Sequence, residues 1–129
     1  MSELSQGINW SAVLAGAVFS YLAGWLWYSP KLFGERWAEA ANVTYSETPQ
    51  VAAMAMHFAG MVLLGWFVGV MAREELLAAT MLLLVAGAVL GYATDGYLKM
   101  RTDGKLINAG YWILMILVMV AAQALVPPF

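Results

Sequence analysis

The stretch Leu76–Leu98 reads LLAATMLLLVAGAVLGYATDGYL and decides the class of fold. It has 23 residues, no basic side chain, and a single acidic side chain, Asp95, close to its end. A helix needs about 20 apolar residues to cross the hydrocarbon core of a bilayer. Barrel strands are shorter and alternate apolar with polar side chains, which this stretch does not. It therefore predicts a transmembrane helix.

Three further stretches have the same character: Ile8–Ser29, Val51–Ala72 and Leu106–Val126. With 63% hydrophobic and 11% charged residues, the 129-residue chain has more apolar surface than a soluble domain of this size can bury. Buried helices of a soluble bundle are a poor alternative, because none of the four stretches has a polar face. We predict an all-α integral membrane protein, a four-transmembrane-helix bundle that forms one domain over residues 1–129.

The composition argues against several kinds of chemistry. The chain has no cysteine, which excludes disulfides, thiolate metal sites and cysteine nucleophiles, and a single histidine does not favour a metal centre. A net charge of −2 does not indicate a nucleic-acid partner. Ser29, His57 and Asp95 could be imagined as a triad, but three common residues on three segments are too weak a signal. We expect no enzyme activity, no cofactor and no metal.

The six basic residues are unevenly divided among the three connections. Arg73 alone lies in the second connection, and the other five lie in the first and third: Lys31, Arg36, Lys99, Arg101 and Lys105. Connections rich in lysine and arginine stay in the cytoplasm. We therefore predict a multi-pass protein of the bacterial cytoplasmic membrane, with residues 30–50 and 99–105 inside and both termini outside.

Aromatic side chains concentrate at the same end of the predicted bundle. Tryptophan and tyrosine are enriched where the bilayer meets water, since their rings suit the headgroup region. We predict a belt of such residues at this end: Trp25, Trp27, Tyr28, Tyr97, Tyr111 and Trp112.

The first connection also predicts a short helix at the membrane surface. Leu32, Phe33 and Trp37 can share one helical face. Such a helix could be a lid or docking surface, although simple anchoring of the connection is the preferred interpretation. Thr48 and Pro49 resemble the N-cap and first residue of the second span. The polar run Thr102–Gly104 predicts a turn before the fourth span.

Small residues recur at four-residue steps in three of the spans. Such ladders let helix backbones approach closely in lipid, where apolar surface gives helices no reason to associate. They could form a dimerisation face, but packing within one bundle is the preferred interpretation. The ladders are Ala12, Gly16, Ser20 and Gly24; Gly65 and Gly69; Gly87 and Gly91.

Polar side chains from all four spans are predicted to converge on the cytoplasmic half of the bundle. They are Tyr28, Ser29, His57, Asp95, Asn108 and Tyr111. Polar groups are costly in a membrane and often mark functional sites. The cluster could be a vestibule in which Asp95 and His57 form a proton-linked pair, since histidine titrates near neutral pH. Alternatively, it is a set of hydrogen bonds that ties the helices together, which is the preferred interpretation.

Two stretches carry a family resemblance. One contains Ile8–Trp10, the string Gly24–Gly34, which reads GWLWYSPKLFG, and Trp37; the other is Ile107–Trp112, INAGYW. Together they resemble the bacterial membrane proteins of the DUF1761 family over essentially the whole chain. The resemblance implies four helices in a single domain, and it implies no activity, substrate or catalytic residue.

Two functions from different classes are compatible with these observations. The preferred one is a non-catalytic accessory, assembly or structural protein of the inner membrane. The alternative is a small-solute or proton-linked transporter or channel with a polar vestibule that faces the cytoplasm. Small multidrug exporters use a buried glutamate in the first helix, and the first span here has no acidic residue. Besides lipid, the expected partners are further copies of the chain or a larger membrane complex.

Overall fold

A computed structural model describes residues 2–43 and 50–128, and these residues form helices and connections without a strand. Four helices are long and apolar enough to cross a membrane, which confirms the all-α class and the number of predicted spans. The elements in chain order are α1 (Ser2–Ser5), α2 (Trp10–Trp27), α3 (Gly34–Ala41), α4 (Val51–Arg73), α5 (Leu77–Tyr97) and α6 (Thr102–Leu125).

The ends of α2 follow from local capping. Asn9 precedes the helix, and its side-chain oxygen accepts a hydrogen bond from the Ala12 amide at 3.1 Å. This N-cap satisfies one of the backbone donors that a helix leaves free in its first turn. The helix ends at Trp27, so α2 is shorter than the predicted span Ile8–Ser29 at both ends. The predicted cap at Thr48 and Pro49 lies outside the described residues.

The predicted turn at Thr102–Gly104 is wrong, because these residues form the first turn of α6. The chain reverses just before them, where Lys99 adopts the left-handed conformation with φ 61°. There the amides of Lys99 and Met100 donate to the carbonyls of Gly96 and Asp95, at 3.0 and 3.1 Å. This pair of bonds is a Schellman cap on α5, and it completes the reversal within the connection itself.

The four long helices lie in the spatial order α4, α2, α6, α5. Helix α2 packs against α4 on one side and α6 on the other, and α6 also packs against α5 and α3. Helices α4 and α5 are joined by a short connection but contact each other little. The buried core therefore follows α2 and α6, with Val13, Val68 and Met119 among its fully buried side chains.

The small residues of the predicted ladders lie at contacts between helices of this one chain. A side-chain carbon added at Gly16 would lie 3.5 Å from both Met119 and Ala122 of α6. Gly65 of α4 similarly faces the Val13 carbonyl of α2, and Gly87 of α5 faces the ring of Trp112. These contacts favour packing inside the bundle as the role of the ladders, because backbones that approach closely gain dispersion contacts.

The outward faces of the bundle are apolar. Leu82 and Leu90 on α5 are 73% and 67% exposed, and residues 51–60, the first half of α4, are exposed throughout. Leaving this much apolar surface in water would cost about 25 cal/mol for each Å². Lipid is the solvent that removes this cost, which agrees with four candidate membrane spans.

Helix α3 lies across the start of α6. The Arg101 side chain bonds Glu39 at 3.1 Å, and the Arg101 amide donates to the Ala40 carbonyl at 3.2 Å. Its hydrogen bonds to the carboxylates of Asp103 and Glu39 raise the pKa of Arg101 above its already high ordinary value, so its charge is permanent. These bonds fix α3 at the end of the bundle where α5 and α6 meet.

The short helix in the first connection exists, but its predicted apolar face does not. Leu32 and Phe33 precede the helix, which begins at Gly34, so they cannot share a helical face with Trp37. Phe33 instead packs on the ring of Trp27, with 4.7 Å between centroids, and Trp37 packs edge-on to Tyr28 at 5.7 Å. The aromatic residues therefore turn towards α2, because the tight turn after Trp27 directs the chain back onto it.

Candidate functional site

The two stretches that carry the family resemblance pack directly against each other between α2 and α6. The Trp27 indole N–H donates to the Ile107 carbonyl at 2.9 Å, and its ring covers Gly110, where a side-chain carbon would lie 2.9 Å away. In the same way, the Tyr111 ring covers Gly24, and its hydroxyl donates to the Ser20 carbonyl at 2.9 Å. Each aromatic ring thus occupies the space that a glycine of the other helix leaves open.

The string Trp27–Gly34 forms a compact turn that returns the chain onto α2. The Ser29 hydroxyl donates to the Leu26 carbonyl at 2.7 Å, and the Phe33 amide donates to the Trp27 carbonyl at 3.1 Å. Gly34 closes the turn through its amide, which donates to the Ser29 carbonyl at 3.0 Å. Ser29 is therefore a turn residue, and the structure does not bring it to the other predicted polar residues.

Three of the predicted polar residues form a chain of hydrogen bonds across three helices. The Tyr28 hydroxyl, just after α2, donates to Oδ1 of Asn108 on α6 at 2.6 Å. The Nδ2 of Asn108 donates in turn to Oδ2 of Asp95 on α5 at 2.9 Å. Asp95 therefore faces its neighbouring helices. This chain ties α5 to the α2–α6 pair.

His57 and Tyr111 form a second contact beside this chain. The Nε2 of His57 lies 3.5 Å from the Tyr111 hydroxyl, and the His57 ring meets the ring of Tyr21 edge-on at 5.6 Å. Within residues 2–43 and 50–128, neither a hydrogen bond nor an ion pair joins His57 to Asp95. The predicted pair is therefore not in direct contact, because the two side chains come from α4 and α5, which diverge at this level.

A cleft of about 990 Å³ separates α4 from α5, with α6 as its floor and α3 at one end. The α4 face that borders it is open at Gly60, where a side-chain carbon would have no atom within 4 Å. Five of the six predicted polar residues line it: Tyr28, His57, Asp95, Asn108 and Tyr111. Among the described residues, no group of three or more histidine, aspartate or glutamate side chains could hold a metal ion.

A family model described as "Protein of unknown function (DUF1761)" matches residues 11–123. The chain belongs to the DUF1761 family. No curated protein and no solved structure matches it. The matched range runs from the start of α2 through nearly all of α6, and so includes the contacts of Trp27 with Gly110 and of Tyr111 with Gly24 in this DUF1761 chain.

Part of the predicted aromatic belt is wrong for this DUF1761 chain. Trp25 and Tyr97 are 69% and 86% exposed, as a belt requires, whereas Tyr111 is only 6% exposed. Trp27, Tyr111 and Trp112 point into the bundle, because glycines on neighbouring helices give their rings space there, and Tyr28 points inward to bond Asn108.

The sequence prediction of the site omitted several residues that line the cleft: Trp37, Gly60, Tyr92 and Trp112. Trp37 and Trp112 were assigned to the membrane surface, and Tyr92 and Gly60 carry no local signal of a site. One signal was available in the INAGYW stretch, since Asn108, Tyr111 and Trp112 follow each other at helical spacing on α6.

Proposed function

We propose that this protein is a non-catalytic membrane protein that binds a small amphiphilic molecule in the cleft between α4 and α5. The observation that carries the proposal is the division of the cleft into a polar end and an apolar length. Asp95 and Asn108 lie at the end beside α3, and Leu64, Ala88 and Met115 line the part further along α4, α5 and α6. Binding sites for small molecules typically occupy about 300–1,000 Å³ and combine apolar walls with a few polar groups.

This proposal starts from the second of the two functions expected from the sequence, a small-solute or proton-linked transporter or channel with a polar vestibule, and keeps its solute site without proposing transport. An accessory role within a larger complex would not need a cleft of this volume beside an ionisable side chain. A non-catalytic role is supported by the hydroxyl groups, because Ser29 donates to the Leu26 carbonyl and Tyr111 to the Ser20 carbonyl. Neither hydroxyl is hydrogen-bonded to a carboxylate that could act as its base.

Filling the cleft should abolish binding. Gly60→Phe places a ring in open space, so it should block the cleft without disturbing the packed half of α4. A neutral monoacylglycerol with a photoactivatable group in its chain should label cleft residues such as Met61 and Met115 in the unmodified protein. The variant should lower this labelling by about tenfold or more, equivalent to roughly 1.4 kcal/mol of binding free energy.

Two controls make this experiment decisive. Ala59→Phe adds a ring to the neighbouring exposed position of α4, which does not line the cleft, and should leave the labelling unchanged. Labelling of the exposed residues Leu82 and Leu90 reports the surrounding lipid and should be unaffected in every variant. If excess unlabelled monoacylglycerol competes no better at Met115 than at Leu90, the cleft holds ordinary lipid and the proposal is wrong.

We also propose that the protein lies in a bacterial cytoplasmic membrane with the α3 end inside. The support is the group of five basic residues at this end against Arg73 at the other. Helix α3 then lies at the inner membrane surface, where Arg36 and Lys31 meet the headgroups.

Single introduced cysteines can test this orientation, because the chain has none of its own. In intact bacteria, a membrane-impermeant maleimide should label Gln6→Cys at once. Lys31→Cys should be labelled only after the cells are lysed. Both positions are exposed in the structure, so accessibility to the reagent depends on the side of the membrane. The opposite pattern would invert the proposed orientation.

A further inference from the structure

We propose that the cleft selects a cationic head group, so that its ligand is a single-chain amphiphile with an amine or quaternary ammonium head. This inference rests on the proposed function and names the class of molecule bound. The head would lie at the polar end beside Asp95, with its alkyl chain along Met61, Leu64 and Met115.

The first argument is the charge of Asp95. Its carboxylate lines the cleft and accepts a hydrogen bond from Asn108, but none of the described lysine, arginine or histidine nitrogens lies within 4.0 Å of it. An unpaired carboxylate next to a membrane interior is unfavourable, and a cation beside it removes much of that cost. A cationic ligand would supply the missing charge.

The arginines at this end already form ion pairs with other carboxylates. Arg101 bonds Asp103 at 2.6 Å and Glu39 at 3.1 Å, and Arg36 lies 3.5 Å from Asp103. The ammonium group of Lys105 lies over the ring of Tyr92, 4.7 Å from the centroid. The fold thus leaves the Asp95 carboxylate, which lines the cleft, free to meet a ligand.

The second argument is the aromatic lining of the same cleft. Tyr28, Trp37, Tyr111 and Trp112 all line the cleft. The Tyr28 ring meets Tyr111 edge-on at 5.6 Å and Trp37 at 5.7 Å, which holds the three rings together as one wall. Faces of aromatic rings attract ammonium groups, and several rings together recognise quaternary ammonium ligands. An anionic head would instead be repelled by Asp95.

Three probes with the same twelve-carbon chain can test the preference. Dodecyltrimethylammonium, monolauroylglycerol and laurate are added to the purified protein in neutral maltoside micelles, and each competes with the photoactivatable neutral monoacylglycerol. Dodecyltrimethylammonium should suppress labelling of Met115 at about a tenfold lower concentration than monolauroylglycerol, because it alone gains the charge pair and the cation–π contacts. Laurate should be the weakest competitor. Labelling of Leu90 on the outer face corrects for dilution of the probe.

Asp95→Asn should remove most of the preference, so that the remaining cation–π contacts separate the cationic and neutral probes by no more than about twofold. Glu35→Gln makes the same change of charge on α3 at a position that does not line the cleft, and should keep the preference. Asp95→Glu preserves the charge and should keep it as well. If Asp95→Asn does not fold, the order of the three probes on the unmodified protein still decides the selectivity.

The two proposals fail in different ways. If the three probes compete equally while labelling of Met115 remains saturable, the cleft binds amphiphiles without regard to charge, and the inference of a cationic ligand is wrong. An undiminished cationic preference in Asp95→Asn would overturn the role of this carboxylate. If no probe saturates the labelling, the proposed binding function fails, and the inference fails with it.

Discussion

Gly34→Ala should destabilise the protein by about 3 kcal/mol, although it adds a single methyl group. The added carbon would overlap the Tyr28 carbonyl oxygen, and it would lie 2.8 and 2.9 Å from the carbonyl carbons of Tyr28 and Ser29. These are backbone atoms, so no change of rotamer can relieve the overlap. Any shift would also break the bond from the Gly34 amide to the Ser29 carbonyl, which closes the turn.

Unfolding of the micelle-bound protein by increasing fractions of dodecyl sulfate, followed by circular dichroism, measures this loss. Gly60→Ala is the matched control, because the same methyl group there meets no atom within 4 Å. It should leave the free energy of unfolding unchanged, or raise it by up to about 1 kcal/mol, since alanine favours a helix over glycine. Equal stability of the two variants would contradict the described turn.

Gly24→Ala should lower the free energy of unfolding by about 2–3 kcal/mol. The new carbon would lie 2.5 Å from the Tyr111 hydroxyl oxygen, and 2.7 and 2.9 Å from two carbons of its ring. Tyr111 must therefore move away from α2. Its hydroxyl then loses the buried bond to the Ser20 carbonyl, and an unsatisfied buried hydroxyl adds to the steric cost.

A double-mutant cycle isolates this contact. Tyr111→Ala alone should cost about 3–5 kcal/mol, because it empties a buried site. Adding Gly24→Ala to that variant should cost less than about 0.5 kcal/mol, since the ring that it would strike is gone. A similar cost of Gly24→Ala in both backgrounds would mean that Tyr111 does not cover Gly24.

These two predictions concern stability, and the proposed binding can be tested at other positions. The residues that carry the DUF1761 resemblance hold α2, α3 and α6 together, so changes at Gly24 and Gly34 should act on folding. Asp95, which is proposed to pair with the ligand, and Gly60, which lines the cleft, lie outside both stretches, whereas most of the aromatic residues of the cleft lie within them. Changes at Asp95 and Gly60 should therefore alter the proposed binding while the bundle stays folded.

The candidate site was predictable in part. The sequence places Tyr28, His57, Asp95 and Asn108 at one end of the bundle, because connected spans alternate in direction and a residue's depth follows from its position along the helix. It could not show that Asn108 joins Tyr28 to Asp95, or that His57 lies apart from Asp95. Those relations depend on how far α4 and α5 diverge, and no local pattern encodes that distance.

The sequence by itself determined that the chain forms four long apolar helices, since length and hydropathy are local properties of each segment. The tertiary structure alone decided which faces meet, with α2 between α4 and α6 and a cleft between α4 and α5. The physical reason is that these helices have no polar stripe that would reveal an inner face. Which helices pack together depends on aromatic rings that fit against glycines distant in the sequence, such as Trp27 against Gly110. Such pairs form only when the chain is folded.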